Sequence, residues 1–280
     1  MRHGTNDRHA NLAVTLFDQL VVENSWSVDD AWLAVAKLLI TCRVFEVGAW
    51  RELHRSPVLM ERNNYKISGL GKRNQCLREA DLVRDYLAEK LCIPPDAVCA
   101  QIGQFFDQTD IRALQPNNPR GHAFRSMVAR FVERFGDPEL DLIEEVSPHD
   151  RFPGFSFAGR SKESRIDILA TRNEKPVAIL STRWTYRHDR VDMIDEAREY
   201  LPAARRANPN VAFFGVTAEF VAARLKKVIA VTEPVAHRGA ALTRLVHVNP
   251  YLCRELLGHN GELAHLWSLA DLARNSFSWK

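Results

Sequence analysis

Acidic, basic and hydroxyl-bearing side chains alternate with apolar ones between positions 167 and 196, in a pattern that can bring several of them to one point. Asp167 lies between Ile166 and Ile168 in an alternating segment. Because strand side chains point alternately to the two faces of a sheet, this pattern predicts a strand with Asp167 on the face opposite to the isoleucines. A carboxylate in such a place is a suitable oxygen ligand for a hard divalent cation.

The residues that follow predict the partner strand of a hairpin. Residues 173–176 (NEKP) have turn composition, and residues 177–184 are apolar and partly β-branched, which favours a returning, largely buried strand. Ser181 and Arg183 then share one face, so the carboxylate of Asp167 and a cation can face each other across the hairpin. This pair suits metal-dependent phosphodiester cleavage, with Asp167 as the metal ligand and Arg183 stabilising the charge that develops on the phosphate or the attacking water.

Residues 181–190 read Ser-Thr-Arg-Trp-Thr-Tyr-Arg-His-Asp-Arg. This run resembles one branch of the PD-(D/E)XK nuclease superfamily, the type II restriction endonucleases that cut around a central CCGG. In that branch the catalytic strand reads Ser-x-Lys, and it is followed by Trp, a Ser or Thr, and an Arg-x-Asp-Arg box that opens a helix. The chain departs from the branch at one position, because Arg183 stands where the family has its catalytic lysine.

The resemblance implies that Arg187, Asp189 and Arg190 read DNA bases. Arginine donates to O6 and N7 of guanine and aspartate accepts from N4 of cytosine, so this box is chemically sufficient for two C·G pairs in the major groove. His188, inside the same box, is a further candidate DNA contact. The alternative interpretation is a solvated first helical turn that Asp189 caps.

The resemblance also implies a second metal-binding carboxylate on the helix after the box, because Ser181 occupies the strand position where other nucleases have Asp or Glu. Glu196 follows Arg183 by thirteen residues, about two turns into a helix that begins near position 189. It is therefore the candidate ligand for Mg²⁺ together with the strand carboxylate. Asp195 and Glu199 are alternatives, and Glu196 could instead be an exposed residue paired with an arginine.

Members of the superfamily commonly carry a glutamate on the first core helix. Glu133 is the only acid on the helix predicted at residues 122–135, whereas Arg125 stands near the start of that helix, where an acid would be expected. Glu133 is therefore a candidate catalytic residue, although it could equally be a surface residue. Glu144 or Glu145 on the next predicted strand could take its place.

The remaining periodicity predicts the elements that must position these residues. Apolar residues recur at helical spacing over most of residues 11–114, which predicts an N-terminal helical subdomain (1–115), and the Pro- and Asn-rich run at 115–121 marks the boundary to a second domain (116–280). In the second domain we predict a helix at 122–135, a strand at 140–146, a polar loop at 147–164, the hairpin, a helix from about 189 to 207, a strand at 211–216, a helix at 220–228, a strand at 242–248 and a final helix at 263–274. This order predicts an α/β fold with a mixed sheet between helices, as a PD-(D/E)XK restriction-endonuclease-like core requires.

The composition of the chain limits the classes of protein and of partner that are expected. The 280 residues are 46% hydrophobic and 26% charged, which is typical of globular proteins, and a net charge of +3 means that DNA binding would depend on locally concentrated arginines. Five scattered cysteines disfavour a disulfide framework or a structural zinc site. There is no apolar run long enough for a transmembrane helix and no signal peptide, so we expect a cytoplasmic protein without a membrane partner.

The resemblance thus predicts a type II restriction endonuclease that uses Mg²⁺ to cleave double-stranded DNA at a palindrome containing CCGG. A two-fold symmetric site implies at least a homodimer. Two alternatives stay open. One is a nuclease-fold protein that binds CCGG DNA without cutting it, as Arg183 and Arg125 suggest, and the other is a helical interaction protein in which the hairpin is only structural.

Overall fold

The computed structural model describes residues 8–35, 85, 88–89, 92–97, 117–156, 165–184, 186, 192–219, 222–232, 243–248 and 266–280. Most of the predicted N-terminal subdomain and the box at 187–190 lie outside these described residues. The described helices are α1 (Arg8–Glu23), α2 (Asn117–Phe135), α3 (Pro148–Arg151), α4 (Asp192–Ala207), α5 (Ala222–Thr232) and α6 (Leu269–Asn275), and a 3₁₀ turn follows at Ser276–Ser278. The strands are β1 (Asp141–Val146), β2 (Ile166–Arg172), β3 (Lys175–Arg183), β4 (Ala212–Thr217), β5 (Arg244–His247) and β6 (Leu266–Trp267).

The strands form one six-stranded mixed sheet in the order β1-β2-β3-β4-β5-β6. Strands β1, β2 and β3 are antiparallel neighbours, whereas β3, β4, β5 and β6 run parallel to one another. The change of direction follows from the connections, because a short turn joins β2 to β3 while the α4 crossover returns the chain to start β4 beside β3. The predicted α/β fold with a mixed sheet and flanking helices is confirmed.

Helices cover both faces of the sheet, and the period of two in the strands sorts the apolar side chains between them. Ile168 and Leu180 lie in a core with α1, α2 and α6, whereas Leu169 and Ile179 lie in a second core with α4. We call these two sides the α2 face and the α4 face. Because Asp167 precedes Ile168 by one residue, it belongs to the α4 face, as predicted relative to Ile168. The prediction that Ile166 shares the face of Ile168 is wrong, since Ile166, at the first position of β2, lies in the second core.

Several predicted boundaries differ from the structure. Helix α2 begins at Asn117 rather than at 122, since Pro119 is tolerated in the first turn of a helix. The predicted final helix was placed too early, because Leu266–Trp267 pairs with β5 and α6 begins at Leu269, after a reciprocal capping box between Ser268 and Asp271. The predicted loop from 147 contains the four-residue helix α3.

Helix α1 packs on α2 and shares its core, with the rings of Phe17 and Phe131 6.2 Å apart. The ion pair between Asp18 and Arg130 joins the same two helices. The predicted boundary near residue 115 stays a prediction, since the chain from 98 to 116 is outside the described residues. None of the described helices is long and apolar enough to span a membrane.

Candidate functional site

The β2–β3 hairpin fixes the position of Asp167. Asn173 and Glu174 form its two-residue turn with φ values of 50° and 66°, the left-handed conformation that matches the twist of a tight hairpin. The register pairs Ile168 with Leu180. The start of β2 and the carboxyl ends of β3, β4 and β5 therefore meet at one end of the sheet, which we call the site end.

Asp167 and Arg183 are in direct contact at the site end. One carboxylate oxygen of Asp167, Oδ2, accepts a hydrogen bond from the backbone N–H of Thr182 at 2.7 Å and another from Nη1 of Arg183 at 2.9 Å. The predicted approach of a carboxylate and a cation across the hairpin is confirmed. The backbone donor also orients the carboxylate, because it fixes which oxygen faces Arg183.

Helix α4 contributes a second carboxylate on the same face of the sheet. Glu196 Oε2 accepts from the hydroxyl of Ser181 at 2.5 Å, and Glu196 Oε1 accepts from Nη2 of Arg183. Asp167, Ser181, Arg183 and Glu196 together form what we call the Arg183 cluster. The contacts favour Glu196 over Asp195, which is exposed and paired with Arg198 at 3.4 Å. Glu199 stays an alternative.

The oxygen atoms of this cluster have the chemistry of a Mg²⁺ site. Asp167 Oδ2 and the carbonyl oxygen of Thr182 both lie 2.9 Å from Arg183 Nη1, and Glu196 Oε1 contacts Nη2 of the same guanidinium. Mg²⁺ prefers oxygen ligands, and it usually takes one or two carboxylates and retains several waters. The residues therefore fit the ion, although among the described residues no group of three or more His, Cys, Asp or Glu forms a metal site by side chains alone.

A buried carboxylate that sequence reasoning missed holds the chain just after Arg183. Glu219 is fully buried, and its Oε2 accepts from the backbone N–H of Tyr186 at 2.9 Å. Its own N–H donates to Thr217 Oγ1, and its carbonyl oxygen contacts His247 Nε2 at 3.0 Å. Glu219 thus joins the ends of β3, β4 and β5. An acid directly after an apolar parallel strand was the available signal, because such ends meet at one edge of a sheet.

The loop that carries Glu219 also contacts Arg183. The N–H of Ala218 donates to the carbonyl oxygen of Arg183 at 3.3 Å. Two hydrogen bonds from the end of β4, one from the Ala218 backbone and one to the Glu219 side chain, therefore hold the chain at Arg183 and again at Tyr186. They set the direction in which the chain leaves β3.

Tyr186 is buried in a small cluster with Met193 of α4, Leu225 of α5 and Leu245 of β5, and its hydroxyl contacts Met193 Sδ at 2.8 Å. Burial raises the pKa of Tyr186 well above its usual range, although Arg183 and a hydrogen bond with Thr217 act in the opposite direction. The phenol therefore stays neutral at ordinary pH. Its role is to pack rather than to accept a proton from water.

The other candidate acids lie elsewhere. Glu133 is exposed on α2, where it pairs with Arg130 at 2.7 Å, and Arg130 also contacts Asp18 of α1. The structure therefore brings Glu133 to the α1–α2 contact rather than into the Arg183 cluster, which is consistent with its alternative interpretation as a surface residue.

Glu144 and Glu145 bind Arg125 on the α2 face. Arg125 Nε lies 2.9 Å from Glu144, and its Nη1 lies 2.5 Å from Glu145. The Ser126 hydroxyl also donates to Glu144. We call these four residues the Arg125 cluster. In this arrangement neither glutamate contributes to the Arg183 cluster through a described contact.

The base-reading box, Arg187, His188, Asp189 and Arg190, lies outside the described residues, so its predicted role stays a prediction. The described chain reaches Tyr186 on one side of the box and resumes with α4 at Asp192 on the other. Comparison with known proteins gives no family for the chain. No protein-family model matches it, and no curated protein or solved structure resembles it significantly.

Proposed function

We propose that the chain is a type II restriction endonuclease with a PD-(D/E)XK core, which cleaves double-stranded DNA at a palindrome containing CCGG. The observation that carries the proposal is the convergence of Asp167, Arg183 and Glu196 at the site end of the sheet. These residues come from three different elements, β2, β3 and α4, and their contacts unite the strand, hairpin and helix positions that the resemblance assigns to catalysis. The six-stranded mixed sheet is compatible with such a core.

Asp167 and Glu196 would hold Mg²⁺ in this proposal. When bound, the ion would lower the pKa of a coordinated water and offset the negative charge of the phosphate. The chain prepares both ligands, because the Thr182 N–H fixes Asp167 and the Ser181 hydroxyl fixes Glu196. A prearranged site of this kind avoids reorganisation during the reaction.

Arg183 would stabilise charge rather than transfer protons. Its guanidinium keeps the positive charge of the family lysine and can donate to two phosphate oxygens at once, but its pKa is too high for it to exchange a proton with water. Electrostatic stabilisation and positioning supply most of the catalysis of phosphoryl transfer. Arginine is therefore compatible with an active enzyme at this position.

A nuclease-fold protein that binds CCGG DNA without cutting it is the second candidate function. The presence of arginine instead of lysine at position 183 favours this function, since Arg183 already contacts both carboxylates that an active site would use for metal. In both cases a palindromic target requires at least a homodimer.

Digestion of a sequenced plasmid with the full-length protein and Mg²⁺, followed by mapping of the DNA ends, tests the proposal. We expect defined fragments whose ends map to one palindrome containing CCGG. Asp167→Asn protein purified in parallel controls for contaminating nucleases. Specific binding of a CCGG duplex that stays intact with Mg²⁺ and with Mn²⁺ would replace the enzyme by the binding protein. Absence of steep salt-dependent DNA binding would favour the helical interaction protein instead.

A further inference from the structure

Arg183 occupies the centre of the oxygen atoms that would bind a metal ion. Its Nη1 contacts Asp167 and the Thr182 carbonyl oxygen, and its Nη2 contacts Glu196. The two carboxylates and the guanidinium together carry one net negative charge. The side chain of Arg183 is 26% exposed and those of Asp167 and Glu196 are 22% and 17% exposed, so water and ions can reach the cluster.

A guanidinium and a divalent cation compete for the same lone pairs. Asp167 Oδ2 already accepts two hydrogen bonds, one from Thr182 N and one from Arg183 Nη1. Coordination by this oxygen would bring a dication within a few ångström of a fixed positive charge, and that repulsion is strong in a partly buried site. Ligation of a metal by these atoms therefore requires the Arg183 guanidinium to withdraw, or it proceeds against its charge.

We propose that Arg183 is an internal counter-ion that limits the affinity of Asp167 and Glu196 for divalent cations. This inference rests on the proposed function, since it concerns the same two carboxylates. Arg183 offsets one of their two negative charges while no cation is bound, and it withdraws from them when one binds. Arg183 thus has two opposite effects in this proposal. It stabilises negative charge on the phosphate, and it lowers the affinity of the carboxylates for metal.

Direct measurement of Mn²⁺ binding to the full-length protein without DNA tests this role. Removal of one positive charge beside a dication is expected to raise the affinity, so Arg183→Gln should bind Mn²⁺ at least about tenfold more tightly than the wild type. Titration followed by the electron paramagnetic resonance of free Mn²⁺ gives the dissociation constants. An affinity equal to or weaker than that of the wild type would overturn the proposal.

Arg130 supplies a matched control. It also contacts two carboxylates, those of Asp18 and Glu133, and its side chain is 21% exposed, close to the value for Arg183; Asp18 has a further, longer contact with Arg134 at 3.3 Å. Arg130→Gln should leave the Mn²⁺ affinity of the protein unchanged. An equal gain in both variants would show that any uncovered pair of carboxylates collects the ion, and the specific role of Arg183 would fail.

A double variant and a thermal unfolding measurement test whether the gain in Mn²⁺ affinity comes from the Arg183 cluster. Adding Asp167→Asn to Arg183→Gln should abolish the gain, because the tighter ion needs that ligand. Mn²⁺ should also raise the thermal unfolding midpoint of Arg183→Gln by more than that of the wild type, since a ligand that binds only the folded state stabilises it. Equal midpoint shifts, or a gain that survives in the double variant, would contradict the proposal.

These results separate the inference from the proposed function. If the wild type leaves DNA intact while Arg183→Gln gains Mn²⁺ affinity, the counter-ion role stands and the nuclease proposal fails. If the wild type cuts DNA while Arg183→Gln shows no gain, the nuclease proposal stands and only the counter-ion role fails.

Discussion

The Arg183 cluster and the Arg125 cluster use the same groups at the same end of the sheet, on opposite faces. Each has one arginine between two carboxylates and a serine hydroxyl that donates to one of them. They differ in burial, since the side chain of Arg125 is 4% exposed and that of Arg183 is 26% exposed. The Arg125 cluster is closed around Arg125 and Glu144, and only Glu145 reaches the surface, whereas all three charged groups of the Arg183 cluster are open to water.

This difference in burial helps to separate an ion pair that supports the fold from one that could support an activity. A buried pair is weak evidence of added stability, but removal of one partner leaves the other charge buried and is costly. Nη2 of Arg125 is buried and has no hydrogen-bond partner in the described part of the chain, so even that closed cluster is incompletely satisfied. We therefore expect substitution of Arg125 to act mainly on stability and substitution of Arg183 to act mainly on the proposed activity.

The largest expected effect is the loss of activity in Asp167→Asn. The amide removes the negative charge that would hold Mg²⁺, so cleavage should be abolished. Binding of the specific duplex should survive or tighten, because one negative charge near the phosphates is removed. Plasmid cleavage and duplex binding by the same preparation measure the two effects, and undiminished cleavage would remove Asp167 from the site.

Substitution of Arg125 should affect stability instead. Arg125→Met leaves Glu144 buried without its counter-ion, which is expected to cost about 3–5 kcal/mol of unfolding free energy. Arg183→Met should cost clearly less, because water reaches the carboxylates that it uncovers. Urea unfolding of both variants makes the comparison, and equal losses would show that the difference in burial does not separate the two clusters.

The comparison also shows which features were predictable from sequence. The contact between Asp167 and Arg183 followed from the strand period and the turn composition, both of which are local signals. The position of Glu133 was not predictable, because it depends on which side of α2 meets α1. Glu219 had a sequence signal, as an acid directly after an apolar strand, but its contact with Tyr186 depends on the alignment of β4 beside β3. Strand β6 was missed for the same reason, since two apolar residues become a strand only through their pairing with β5.

Substitution of Arg183 should change the rate of DNA cleavage. Arg183→Ala is expected to lower the cleavage rate at least about a hundredfold, as removal of one preorganised charge usually does. Arg183→Lys should retain measurable cleavage, because it keeps the charge and introduces the lysine that the resembled nucleases have at this position. Single-turnover cleavage of a CCGG duplex at saturating Mg²⁺ gives the rates, and an alanine variant as fast as the wild type would leave Arg183 with no catalytic role.

We expect base reading to depend on the predicted box at residues 187–190, which follows β3 and Arg183 in the chain. Arg187→Ala and Arg190→Ala should each cost about 1–3 kcal/mol of discrimination for the cognate base pair. Competition binding with duplexes that differ at one base pair measures this loss. Uniform weakening across all sequences would show that the two arginines contact phosphates.

The smallest effect concerns Glu219, which is fully buried and, unlike the carboxylates of the Arg125 cluster in their described contacts, accepts a hydrogen bond from a backbone donor. In Glu219→Gln the amide oxygen can still accept from the Tyr186 N–H, so the losses are the charge-assisted part of that hydrogen bond and the ion pair with Arg224 at 3.6 Å, together about 1 kcal/mol. Glu219→Ala leaves that N–H buried without an acceptor, which should cost about 1–3 kcal/mol and also slow cleavage, because the chain after Arg183 loses its anchor. Urea unfolding and single-turnover cleavage of both variants test this order. If glutamine is as damaging as alanine, Glu219 acts through its charge, and it then resembles the Arg125 cluster rather than a backbone support for Arg183.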